Sequence, residues 1–145
     1  MELTSKQWND ARQLLESGSY TCVLCKDGAL HTATERGVKP LVRWLTEHAD
    51  LHGFYAADKV VGRATAYLYC LLGVKAVYAH VMSQPAAQVL EENGIEAAWG
   101  TLTENIINRQ GTGICPFEAA VLDIHDPQTA FTAIRAKMEQ MQITL

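Results

Sequence analysis

No run in this sequence is long and apolar enough to cross a bilayer. The longest, residues 64–72, is broken by Thr65 and two tyrosines, where a spanning helix needs roughly 20 apolar residues. A basic excess is also missing. Lys and Arg number 12 against 16 Asp and Glu, for a formal net charge of −4. That balance argues against nucleic acid as a partner, because such binders carry clustered positive charge. It does not exclude a small anion, which a few oriented N–H groups and one Arg can hold. No Gly-Lys-Ser/Thr phosphate loop and no Gly-x-Ser-x-Gly elbow is present. Nor is there an internal repeat, a low-complexity tract or a linker. Met1-Glu2-Leu3-Thr4-Ser5-Lys6 matches neither a signal nor a transit peptide, so a cytoplasmic location and no membrane partner are expected. Cys22, Cys25, Cys70 and Cys115 then read as free thiols.

What is there suits one globular domain spanning residues 1–145. Apolar residues make up 48% and charged residues 19%, and a chain of about 150 residues buries most of its unfolded surface. Thr4 or Ser5 caps a first helix with Trp8, Ala11, Leu14 and Leu15 on one face, stopped by Gly18. Residues 20–26 and 30–35 read as a hairpin about Asp27-Gly28. Pro40 suits the first turn of a helix carrying Leu41, Val42, Trp44 and Leu45. Residues 54–57 form a short strand, and Asp58 is the expected N-cap of a helix over 60–72 ended by Gly73. The apolar run 74–82 reads as a buried parallel strand. A helix follows from Ser83 to Asn93-Gly94, then a strand over 95–99. Residues 102–108 are ambiguous, 115–123 look helical, and Asp126-Pro127 opens a last helix to about Gln140. Strand–helix–strand units demand parallel neighbours with crossovers, so the expected fold is a three-layer α/β/α sandwich with a mixed sheet, the hairpin at one side.

Several clusters invite chemical readings. Cys22-Val23-Leu24-Cys25 has half-zinc-ribbon spacing, but no second pair follows, and strand positions three apart face opposite ways. His48 and His52 share a face only if their helix extends that far, and no third ligand is evident. No metal is expected.

Two segments carry more. In Asp58-Lys59-Val60-Val61-Gly62-Arg63, placed at a strand's carboxyl end, ligands of open α/β sheets bind. Gly62 and Ala66, one turn apart, admit either a closely packed element or a ligand on the helix N-terminus neutralised by Lys59 or Arg63. In Arg109-Gln110-Gly111-Thr112-Gly113-Ile114-Cys115-Pro116-Phe117-Glu118, the Cys-x-x-Glu spacing copies a capping box with sulfur for hydroxyl. A thiol at a helix N-terminus has a lowered pKa. Cys115 is therefore a nucleophile candidate, or else a small buried residue in a tight turn. Gly111 and Gly113 suit a loop whose N–H groups cup an anion.

The run Asp58–Ala64 and the set Asn108-Arg109, Gly111-Thr112-Gly113, Cys115-Pro116 and Glu118 resemble the family called domain of unknown function 1893. The similarity covers nearly the whole chain. It implies a cytidine-deaminase-like fold and brings no established activity. The resemblance implies zinc held by a His or Cys on the helix after the second strand and by Pro-Cys-x-x-Cys on the helix after the third, with a Glu beside the first ligand to shuttle protons. Matched to the helix after Asp58 and to the one opening at Ser83-Gln84-Pro85, the chain offers Val61, Gly62 and Arg63, then Ala86 and Val89. None is a zinc ligand, so deamination by the usual route is not expected and no cofactor is implied.

The leading expectation is a pocket for a nucleoside, nucleotide or related anion. Asp58 would orient the helix and bond the ligand. Lys59, Arg63 and Arg109 would supply charge, Gly62 close approach, Gly111, Thr112 and Gly113 donors. Glu118 lines the site, and Cys115 with Asp58 would act chemically. A metal-free enzyme dependent on Cys115 is the second reading. A non-enzymatic interaction protein, such as a homodimer, is the third.

Overall fold

The structure, a computed structural model, describes residues 3–107 and 110–145. Helix α1 (Lys6–Ser17) starts after Ser5, ends at Gly18 and buries Trp8, Ala11 and Leu15. Strands β1 (Cys22–Lys26) and β2 (Ala29–Ala33) pair antiparallel. Asp27 and Gly28 between them have φ of 49° and 88°, the double positive φ of a type I′ hairpin turn. Helix α2 (Lys39–Thr46) has Pro40 in its first turn. Then come β3 (Tyr55–Val61), α3 (Arg63–Leu72), β4 (Ala76–Ser83), α4 (Gln84–Glu92), β5 (Glu96–Thr103), α5 (Pro116–Ala120) and α6 (Pro127–Gln140).

The sheet runs β2-β1-β3-β4-β5. β1 pairs antiparallel with β2 and β3, while β3, β4 and β5 run parallel. This is the mixed α/β sheet expected, with the hairpin on one side. Strand alternation divides the core in two. Val23, Ala57, Ala76 and Tyr78 meet α1 in the smaller cluster. Leu24, Ala56, Val77 and Ala79 face the larger one, beneath α3 and α4, with α2 and α6 packed against α3. Two side-chain bonds tie α1 to separate strands: Trp8 Nε1 donates to the Ala56 carbonyl at 3.0 Å, and Cys25 Sγ donates to the Gln7 carbonyl at 3.0 Å.

Three expectations are corrected. β3 continues to Val61 instead of ending at Ala57, so Asp58 lies inside the sheet, paired with Cys22 and Ala79, and does not cap α3. Gly62, in extended conformation, is the N-cap. The region expected as a helix over 115–123 is helical only at Pro116–Ala120. β5 runs from Glu96 to Thr103 and so passes beyond the expected end at Trp99. His48 and His52 share no helix face, because α2 ends at Thr46 and His48 turns left-handed at φ 56°. Cys22 and Cys25 do point to opposite faces, one into each cluster.

Candidate functional site at the start of α3

The two segments singled out in the sequence meet at the N-terminus of α3. The first N–H groups of any helix lack intrahelical acceptors. Here Arg63 N donates to Glu118 Oε1 at 2.6 Å, and Ala64 N donates to Glu118 Oε2 at 2.7 Å. A carboxylate from α5 thus caps α3 across 54 intervening positions of chain. Its placement depends on Gly62. A Cβ at that position would lie 2.6 Å from the Glu118 carboxyl carbon, so only glycine admits the approach. The close packing read from Gly62 is therefore made by a side chain, and Glu118 fills the space between the two segments. Burial raises the Glu118 pKa; the two N–H bonds and the Arg63 charge pull it back only in part.

Arg63 does not point into this space. Its guanidinium donates to the carbonyls of Leu122 (3.3 Å) and Ile124, lies 3.1 Å from His125 Nδ1 and 3.2 Å from Tyr67 Oη, and stacks over the Tyr67 ring. Tyr67 Oη itself donates to the Ile124 carbonyl at 2.8 Å. Arg63 and Tyr67 together latch the turn between α5 and α6 onto α3. The cation expected to neutralise a ligand is engaged by backbone carbonyls instead.

Asp58 has a different setting. Its carboxylate is buried below α3, where Tyr69 Oη donates to Oδ2 at 2.6 Å and the Lys59 N–H donates to Oδ1 at 2.8 Å. Cys22 Sγ lies 3.2 Å from Tyr69 Oη, completing a chain of three buried groups. Burial lifts the Asp58 carboxyl to about 6; the bonds from Tyr69, Lys59 and Val60 hold it lower than burial alone would. The Cys22 thiol and Tyr69 phenol are pushed up, first by burial and then by the Asp58 charge. Tyr69 and Cys22 were absent from the sequence-derived site. The available signal was a Tyr inside the apolar run 64–72, since a buried phenol needs a partner.

The remaining residues are spread around this junction. Lys59 is exposed on β3. Gly111 (φ 71°) and Thr112 are exposed and Gly113 is half-buried, with room for a side chain at either glycine. Cys115 is the N-cap of α5, but its thiol makes no capping bond: the capping box expected from Cys115 and Glu118 does not form, because Glu118 turns away to α3. Arg109 lies outside the described residues, as does Asn108. Two hollows lie elsewhere, one of about 650 Å³ beside α6 and the C-terminal residues and one of about 390 Å³ between α4 and β5. Among the described residues no group of three His, Cys, Asp or Glu side chains could hold a metal. The helices after the second and third strands are α2 and α3, and their first turns, at Val38-Lys39-Pro40 and Gly62-Arg63-Ala64, again carry neither His nor Cys.

Fold and site together define a mixed-sheet α/β protein whose third helix is capped by a carboxylate from a distant part of the same chain. The chain belongs to the TM1506 family, domain of unknown function DUF1893, whose family model matches residues 10–138. Among solved structures it is similar to the DUF1893 family protein TM1506 from Thermotoga maritima. Identity is 23%, covering 94% of this chain and 92% of that one, with a TM-score of 0.85. A further match is a diaminohydroxyphosphoribosylaminopyrimidine deaminase/5-amino-6-(5-phosphoribosylamino)uracil reductase from Thermotoga maritima. It is 17% identical over 65% of this chain and 35% of that one, with a TM-score of 0.39. No curated protein matches the sequence.

Proposed function

We propose that this protein binds a small anionic ligand, nucleoside- or nucleotide-like, without a catalytic zinc, at the N-terminus of α3. One observation supports the reading: two consecutive backbone N–H groups converge on a single carboxylate, and that carboxylate comes from a five-residue helix next to an exposed glycine turn. A helix N-terminus favours an anion through its free donors and its dipole. Glu118 then stands where the ligand's anionic group would go, and the ligand exchanges with it. The raised pKa of Glu118 agrees with a carboxylate held at some cost.

The test is thermal denaturation of the wild type and of Glu118→Ala with inorganic phosphate, cytidine and AMP. Vacating the donors should let phosphate or AMP stabilise the variant more than the wild type. At about 100 times the dissociation constant the gain is roughly 2.7 kcal/mol, on the order of 5–10 °C for a domain of this size. Absence of stabilisation by all three compounds in both proteins overturns the reading.

A further inference from the structure

We infer that the outer edge of β5 is an interface for a second copy of this chain, joined strand to strand into one continuous sheet. This is independent of the ligand reading. Sheets guard exposed edges by shortness, by proline, by charge or by a covering element. β2, at the opposite edge, has five residues. β5 has eight, with no proline and no basic residue; its one charge, Glu96, sits at its first position and accepts from Thr4 Oγ1 at 2.8 Å. Among the described residues, the strand's backbone pairs with β4 and nothing on the far side. Flanking that edge, Ala87, Ile95, Ala97 and Trp99, with Glu91 and Glu96, line the hollow of about 390 Å³.

The occupant follows from symmetry and charge. Unpaired N–H and C=O groups on one edge are matched by the same edge reversed, as in an isologous two-fold contact. A two-fold axis perpendicular to the sheet keeps each face on its own side, so facing residues must share a face. Of the two registers that pair most of β5, one centres on Gly100 and sets Glu96 opposite Glu104 at both ends. The other centres on Trp99 and sets Glu96 opposite Leu102, which is 38% exposed. Like charges directly opposite destabilise a pair, so charge selects the Trp99 register. In it Trp99 meets its own copy, Ala97 faces Thr101, and the hollow beside β5 is covered.

Sedimentation velocity across the micromolar range tests this on the wild type and on charge variants of the exposed Leu102, with circular dichroism confirming the fold. The wild type should dimerise. Leu102→Glu sets two like-charge pairs across the axis and should weaken the dimer on the order of tenfold, Leu102→Lys should tighten it comparably, and the double variant Glu96→Lys/Leu102→Glu should restore it. A wild type monomeric throughout overturns the inference, as does a dimer whose affinity ignores these charge changes.

Discussion

Replacing Asp58 by Asn asks whether a carboxyl really sits dry beneath α3. The aspartate pKa rises from 3.8 to about 6, chiefly by burial. At about 1.4 kcal/mol for each pH unit, that is about 3 kcal/mol. The sign follows from linkage. As pH rises, the unfolded chain releases this proton near 3.8 while the folded chain holds it to about 6. Between those values the folded state carries the extra proton, so stability falls with rising pH, and the full loss is present above 6. Asn cannot ionise. It can also keep the network closed, accepting from the Lys59 N–H and donating to Tyr69 Oη, which would then donate to Cys22 Sγ. Urea unfolding of both proteins at several pH values, taken as a difference, cancels the groups they share. The variant should gain about 2 kcal/mol relative to wild type between pH 4 and pH 7, the rest of the difference lying below pH 4. A difference flat to within about 0.5 kcal/mol, the usual scatter for a neutral change, would mean that the Asp58 carboxyl is hydrated and the buried chain of three groups is wrong.

Two other outcomes follow from the same contacts. Gly62→Ala puts a Cβ 2.6 Å from the Glu118 carboxyl and should cost about 1–3 kcal/mol in urea unfolding. In a Glu118→Ala background that cost should largely vanish, and a double-mutant cycle with no coupling would show that the two residues do not meet. Cys22 is sealed in the core with its thiol pKa raised, whereas Cys115 is partly exposed. A disulfide reagent should modify Cys115 in the native protein long before Cys22, and equal rates for the two would refute the burial.

The elements that local sequence specifies were the easiest to read. Asp27-Gly28 demands a tight reversal, Ser83 and Asp126 cap the helices they precede, with Ala86 N donating to Ser83 Oγ at 3.1 Å and Thr129 N to Asp126 Oδ2 at 2.8 Å. The errors came where a residue's partner is distant. Asp58 looks like a cap because Asp is a good one, and nothing nearby announces Tyr69, eleven positions on, as the donor that lets a carboxyl stay inside a sheet. Glu118 lies three residues after Cys115, the spacing of a local box, yet its acceptor capacity goes to a helix 54 positions away. Sequence spacing did bring the right two segments together. It could not reveal that one of them supplies the anion the other was expected to bind.

Helix α1 lies across the line where the two halves of the sheet join. The hairpin β1–β2 can form from contacts close in sequence, and the parallel strands β3, β4 and β5 assemble through their own crossovers. The pairing of β1 with β3 unites them, and it must span the whole of α2. The Trp8 indole holds β3 and the Gln7 carbonyl holds β1, one on each bank of that junction. The first helix therefore acts as a splint laid over the β1–β3 ladder, fastened to a strand on each side of it.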